Sequence, residues 1–252
     1  MIIDCFTFFN EYDLLEGRLN YLFKHVNYFV ITESNLTFSG EPKRYNFIDN
    51  ISRYSQFLDR IIYIPCTPAH ELGNQYWGVE HYQRNRLQQA MKYFDDDDYI
   101  IMGDVDEIPS FDGIKNGINA LNNNIACTMV QDTHYYNLKH RGQSNWLGST
   151  ITRCKEMKAR LPQEFRDIRE TNTLIYNGGW HLSHWGGPEK IREKLYAGSH
   201  REMNTDTYTD VDRIQDYINR GVDLYDRPHE QYIPATPEEY EPFFYSVFSR
   251  YH

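Results

Sequence analysis

The sequence predicts an α/β fold, a mostly parallel central sheet flanked by helices. Three observations carry this. Up to Met102, short β-prone apolar runs alternate with segments of helical periodicity. The last of these runs, Tyr99-Ile100-Ile101-Met102, is apolar on both faces, as a strand inside a parallel sheet has to be. Acidic residues gather directly after it, at the carboxyl end where open parallel sheets hold their ligands.

Residues 2–8 read as the first strand. Asp13 opens a helix with Glu16 three positions on, a capping-box spacing, and Leu15, Leu19, Leu22, Phe23 and Val26 share one face. Residues 28–32 form the second strand, 48–58 a weaker helix, and 61–64 a third strand stopped by Pro65. Residues 78–94 read as one long helix, with Leu87, Ala90, Met91 and Phe94 aligned, and 99–102 as the fourth strand. Beyond Gly103, Phe111, Ile114, Ile118 and Leu121 mark a helix and residues 125–130 a strand. Residues 132–180 mix short strands with polar loops. Pro188 opens a helix ending near Gly198, and Thr209 opens another, with Asp212 at the capping position and Gly221 as its stop. Pro228, Pro234, Pro237 and Pro242 give the tail the look of an extended wrap. No repeat or low-complexity linker divides the chain, so residues 1–252 read as one domain.

Composition narrows the function. The hydrophobic fraction of 40% and charged fraction of 25% are those of a globular chain. Acids outnumber bases 36 to 26, a formal charge of −10, which disfavours nucleic acid as a partner but leaves room for one nucleotide bound through a metal. No apolar run reaches the roughly 18–20 residues of a membrane span, and the chain opens on a strand instead of a signal peptide; the expectation is a cytoplasmic protein with no integral membrane segment. Cys5, Cys66, Cys127 and Cys154 show no metal spacing and are expected to be reduced and mostly buried.

Four segments carry chemistry. Gly103-Asp104-Val105-Asp106-Glu107-Ile108-Pro109 places three carboxylates in four residues at a strand end. Their mutual repulsion calls for a cation, and a hard divalent ion with oxygen ligands fits; on an extended strand Asp104 and Asp106 share a side while Glu107 points away. Such an ion bridges a diphosphate and stabilises a leaving nucleoside diphosphate. Gly178-Gly179-Trp180-His181-Leu182-Ser183-His184-Trp185-Gly186-Gly187 sets two histidines among glycines and tryptophans; His181 suits a further metal ligand, Trp180 or Trp185 a sugar or base, and the following helix N-terminus an anion. Arg84, within Glu80–Arg86, is placed to meet a phosphate or the aspartates, and Lys194 to meet a phosphate as a point charge.

With these segments in hand, the motifs Phe8-Phe9-Asn10-Glu11-Tyr12-Asp13, Val30-Ile31-Thr32-Glu33-Ser34-Asn35, Asp104-Val105-Asp106-Glu107-Ile108-Pro109 and Gly179-Trp180-His181-Leu182-Ser183, in that order, resemble glycosyltransferase family 17. The resemblance runs from Ile2 to about residue 230. It implies a GT-A fold, a UDP-sugar donor (N-acetylglucosamine as first choice), Mn2+ or Mg2+, a glycan or polysaccharide acceptor and inversion at the anomeric carbon. Residues 1–107 would be the nucleotide-binding half, and 108–252 the acceptor side with the wrap. Carried over by position, Asp106 holds the metal, Asp104 reaches the ribose or the metal, His181 is the distant metal ligand, and Asn10, Glu11 and Glu33 lie where the nucleoside is held. Inversion needs a base opposite the diphosphate, within reach of the acceptor hydroxyl. Asp132, Glu170 and Glu202 all follow the acid motif and remain alternatives, with Glu170 preferred for lying just upstream of the glycine-rich segment. A metal-dependent nucleotidyltransferase and a catalytically silent sugar-binding protein are the competing readings. Against the first stands the lack of a Gly-rich phosphate loop with a lysine near the first strand; against the second, intact Asp104, Asp106 and His181.

Overall fold

A computed structural model describes residues 1–75, 77–228 and 230–251. The amino-terminal alternation folds as β1 (Ile2–Thr7), α1 (Tyr12–Leu22), β2 (Tyr28–Ser34), α2 (Asn46–Asp49), β3 (Ile61–Cys66), α3 (Gly78–Asn85) and β4 (Tyr99–Asp104). The two weaker helical expectations differ in kind. Ile51–Arg60 is a 3-10 segment, and the long helix changes from α to 3-10 at Arg86. Buried Tyr54 with Phe57, and Leu87 with Ala90, are three apart, the spacing that a 3-10 turn brings onto one line.

The remainder is β5 (Glu107–Pro109), α4 (Phe111–Ala120), β6 (Ala126–Tyr135), β7 (His140–Arg153), α5 (Cys154–Ala159), α6 (Pro162–Asp167), β8 (Thr173–Ser183), α7 (Pro188–Ala197), α8 (Asp206–Thr209), α9 (Val211–Arg220), β9 (Tyr232–Pro234) and α10 (Pro242–Phe248). All nine strands of the described residues join one sheet, in the order β3-β2-β1-β4-β7-β6-β8-β5, with β9 on β7. The first four strands are parallel. β4–β7, β6–β7 and β5–β8 are antiparallel and β6–β8 is parallel, so the sheet as a whole is mixed. Residues 136–139 join β6 to β7 directly, too short a link for the crossover that a parallel pair needs.

Alternation along the strands feeds two cores. Ile3, Cys5, Val30, Ile100 and Met102 face the second 3-10 segment, α5 and α6, packing with Leu87, Met91, Met157 and Phe165. Phe6, Phe29, Ile31 and Ile101 face the opposite side, where α1 and α10 supply Leu15, Leu19, Phe244 and Phe248. This three-layer arrangement is why β4 is apolar on both faces. The four cysteines are free and buried.

Two expectations are corrected. The tail is not simply an extended wrap: Pro242 occupies the first turn of α10, where its missing N–H costs nothing, and Phe244, Val247 and Phe248 are buried. Gly17 admits this helix, since a Cβ there would lie 2.6 Å from the Phe248 ring. The first half of the glycine-rich segment lies in β8. Gly179 has φ +132°, and a Cβ on it would meet the Ile108 carbonyl at 2.0 Å, so glycine there lets β5 lie against β8. The helix expected to open at Thr209 is α9, capped by Asp210 in place of Asp212, with its Oδ1 accepting the Arg213 N–H; Gly221 ends it in the left-handed conformation as expected.

Candidate active site

β4 ends at Asp104 and β5 begins at Glu107, so Val105 and Asp106 form a tight turn at the carboxyl end of the parallel strands. β5 pairs with β8 in a register that sets Glu107 opposite His181, and the Leu182 N–H donates to the Asp106 carbonyl at 2.8 Å. The sheet itself therefore joins the acid motif to the histidine segment. His181 Nε2 stands 3.9 Å from Asp106 Oδ2. Lys194, from α7, donates to the same oxygen at 2.9 Å.

Each carboxylate of the turn has a protein cation beside it. Asp104 Oδ1 accepts from Arg84 Nη2 (3.0 Å) and Thr7 Oγ1 (3.2 Å), and its Oδ2 from Arg166 Nη2 (2.9 Å). The chain bends at residues 105–106 and does not run on as one extended strand, but Glu107 points away from the cleft as expected and is buried beneath the turn. Its Oε1 accepts from Trp146 Nε1 and Arg166 Nη1, both at 2.7 Å, and its Oε2 from the Asp104 N–H. Burial alone would push the Asp104 and Asp106 carboxyls up. Arg84 and Arg166 outweigh it at Asp104, holding that group well below the usual carboxylate range, and Lys194 with His181 lowers Asp106. Burial pushes the His181 imidazole down against the pull of Asp106, which favours its neutral, ligand-competent form.

A cleft of about 280 Å3 opens over this turn. Asp104, Asp106, His181, Lys194, Trp146 and Arg166 line one part, and Phe9, Phe38 and Trp77 another. Trp146 stacks on His181 with ring centroids 4.6 Å apart. Glu11 and Glu80 also line the cleft. With Asp104, Asp106 and buried Glu107 they make five carboxylates against the three cations Arg84, Arg166 and Lys194, a local charge of −2 with the histidines neutral.

Among the described residues, no three His, Cys, Asp or Glu side chains form a complete metal cage. The arrangement still fits a hard divalent ion. Asp106 and His181 present an oxygen and a nitrogen 3.9 Å apart, both within reach of one ion at ligand distances of roughly 2.0–2.2 Å. Such ions are ordinarily held by one or two side chains and completed by substrate phosphates and water. Asp104, with both oxygens engaged by guanidinium groups, is the poorer ligand of the two aspartates.

The profile of glycosyltransferase family 17 matches residues 1–235. The chain belongs to glycosyltransferase family 17. Its similar proteins include the β-1,4-mannosyl-glycoprotein 4-β-N-acetylglucosaminyltransferases of Rattus norvegicus and Homo sapiens, each 24% identical over 274 residues, covering 95% of this chain and 51% of theirs. The chain thus spans about half the length of these curated relatives. Among solved structures, 4-diphosphocytidyl-2C-methyl-D-erythritol synthase superposes with a TM-score of 0.44 at 10% identity, over 70% of this chain and 88% of that one. Galactosyltransferase LgtC with donor and acceptor sugar analogues gives 0.39 at 10% identity, over 84% and 82%.

In this family 17 chain the residues singled out from sequence separate into two groups. Asp104, Asp106, His181, Lys194 and Glu11 line one cleft. Glu11 Oε2 caps the Phe9 and Asn10 N–H groups at 3.0 and 3.1 Å, and burial raises its pKa. Asn10 lies alongside, in a small pocket shared with Glu11 and Lys194, and donates to Glu193 at 2.9 Å. Glu33 is placed differently: it is fully buried, and its carboxylate is engaged by the N–H groups of Asn46 and Phe47 at the start of α2, by Tyr63 and by Lys43. Arg84 meets the aspartate, not open cleft; it is 2% exposed and bridges Glu80 and Asp104.

The three carboxylates considered for the base lie outside the cleft lining. Asp132 is exposed on β6, Glu170 is exposed beyond α6, and exposed Glu202 accepts from the His200 ring at 2.7 Å. Following the acid motif in sequence says nothing of which way a side chain faces. Trp180 and Trp185 are 8% exposed and serve the core, Trp180 stacked 3.7 Å from Phe244. His184 is a supporting residue, its Nε2 3.2 Å from the Tyr225 hydroxyl. Sequence reasoning missed Arg166 and Trp146. Arg166 sits on a helix of six residues, too short for periodicity, and Trp146 in a stretch of β7 whose polar residues read as loop.

Proposed function

We propose that this chain is a metal-dependent, inverting glycosyltransferase of GT-A type. It would move a sugar, N-acetylglucosamine first, from a UDP-sugar to a hydroxyl of a glycan or polysaccharide. The observation that carries this reading is the convergence of Asp106, His181 and Lys194 at the carboxyl end of β4, inside a cleft of net negative charge. A diphosphate entering such a cleft is repelled unless a divalent cation accompanies it, and family membership supplies the reaction class.

Asp106 and His181 would hold Mn2+ or Mg2+. When bound, the ion neutralises charge developing on a leaving nucleoside diphosphate. Lys194, freed from Asp106, sits within the same cleft to pair with a phosphate oxygen. Arg84 and Arg166 keep Asp104 ionised and fixed, so its outer edge stays available to a ribose hydroxyl. The rings of Phe9, Phe38 and Trp77 offer flat apolar surface to a nucleobase. No base is assigned to Asp132, Glu170 or Glu202, because none of them lines this cleft.

Calorimetry with UDP in Mn2+ and in chelator tests the reading, alongside product analysis of UDP-N-acetylglucosamine incubated with the protein. UDP should bind in Mn2+ alone, Asp106→Asn should abolish that binding in a protein that remains folded, and slow hydrolysis should release UDP. Equal affinity with and without metal overturns the metal role, and release of N-acetylglucosamine 1-phosphate, the leaving group of uridylyl transfer, would make the protein a nucleotidyltransferase.

A further inference from the structure

Arg18 is a charged residue on the inward face of α1. It and Asp4 of β1 are both fully buried. Its Nε and Nη2 donate to the two Asp4 oxygens at 2.7 Å each, which engages one edge of the guanidinium fork. The remaining nitrogen, Nη1, donates to three main-chain carbonyls, those of Asp104 (2.9 Å), Val105 (3.3 Å) and Glu107 (2.7 Å). These belong to the turn whose aspartates line the cleft. Replacing a buried ion pair by apolar residues of like volume is often neutral or stabilising, so the stability of the core does not by itself account for an Arg–Asp pair here. The bonds to the turn do account for it: the carbonyls face inward onto one cation while Asp104 and Asp106 stand on the cleft side.

We propose that Arg18, held by Asp4, is the positioning residue of the acid turn. It fixes the backbone of residues 104–107 so that Asp106 stands opposite His181 and Lys194 for a divalent cation with a nucleoside diphosphate. This rests on the ligand class proposed above. The role needs a guanidinium. A lysine would keep the charge against Asp4, but its donors radiate from a single atom and cannot grip a carboxylate at two points while reaching carbonyls on the other side.

The test compares wild type, Arg18→Lys and the double variant Asp4→Leu/Arg18→Met, which removes both charges at similar volume. Thermal unfolding and near-ultraviolet circular dichroism establish which variants are folded, and calorimetry gives the UDP affinity in Mn2+. Both variants are expected to be folded at 20 °C. The double variant should bind UDP at least tenfold more weakly than wild type, with Arg18→Lys between them. A folded variant of either kind within twofold of wild type overturns the positioning role, whatever its thermal midpoint. Should the double variant not fold, Arg18→Lys decides alone; should neither fold, Arg18 is a structural residue and the proposal fails. The wild-type arm separates the two layers: wild type that binds no UDP in Mn2+ sinks the proposed function and this inference with it, while binding equal across the series sinks the inference only.

Discussion

Lys194→Met separates two roles that the same ammonium plays at different moments. In the structure its Nζ donates to Asp106 Oδ2 at 2.9 Å, on the oxygen that faces His181 across 3.9 Å. Burial alone would lower the lysine pKa; Asp106 and then Glu11 outweigh it and raise it, so the group is charged at any working pH. A divalent ion arriving at Asp106 must displace this charge. A hydrogen bond to a charged partner is worth about 1.5–3 kcal/mol. The lysine side chain is 37% exposed, which discounts that figure for solvent screening to about 1–2 kcal/mol. Methionine keeps the apolar stem and removes the competitor, so Mn2+ alone should bind about 5- to 30-fold more tightly. UDP in saturating Mn2+ should bind more weakly, by about tenfold, because the phosphate loses its cation. Electron paramagnetic resonance of free aqueous Mn2+ reads the first quantity and calorimetry the second. The opposite signs are the signature. Mn2+ affinity that is unchanged or weakened would refute the idea that Lys194 occupies the cation's place.

Two further outcomes concern stability. Burial pushes His134 and His184 down to about 3, so both are neutral in the folded protein but take up protons near pH 6.5 when unfolded. Their folded values are depressed, so the stability they contribute is complete above about pH 6.5 and is lost as pH falls toward 3. Each should cost about 2 kcal/mol between pH 7.5 and 5 by linkage; urea unfolding at the two pH values checks this, and a flat response would show that these imidazoles are not held neutral. Phe244→Ala removes a fully buried ring stacked on Trp180 and should cost about 3–5 kcal/mol. A loss under about 1 kcal/mol in the same assay would mean that α10 is only laid against the core.

What the sequence conveyed well was whatever burial writes into it in a regular way. The four parallel strands are covered on both faces, so Ile100, Ile101 and Met102 are apolar in succession and the acids after them stand out. His181 stands out among its glycines, but its tie to the acid motif comes only with the resemblance, since strand pairing between residues 107–109 and 179–181 leaves no mark in the local pattern. The acids call for cations, and the chain itself supplies some of them. Arg84, Arg166 and Lys194 lie 20 or more positions away from Asp104 in the chain, and only the fold shows that they neutralise the turn. Nothing in the local pattern marks Arg18, because one charge beside an apolar stripe carries no sign that its partner Asp4 is buried with it. The tail's prolines concealed α10, since a proline at a helix start and a proline in an extended wrap are the same letter.

The pairing of β5 with β8 makes strand register the ruler of this site. Asp106 and His181 are separated by a long stretch of chain, yet their spacing is fixed by backbone hydrogen bonds between neighbouring strands and not by a flexible connection. Side chains alternate in a strand, so inserting a single residue between Gly179 and His181 would turn the imidazole to the other face and bring Trp180 or the inserted residue into its place. Insertions after Ser183, where the strand has ended, would leave the histidine where it is and displace only Lys194 and its helix. Within this segment an insertion before Ser183 takes the imidazole out of the site, while one after it spares the Asp106–His181 pair and costs the site its lysine, a boundary that anyone grafting loops onto the cleft would have to respect.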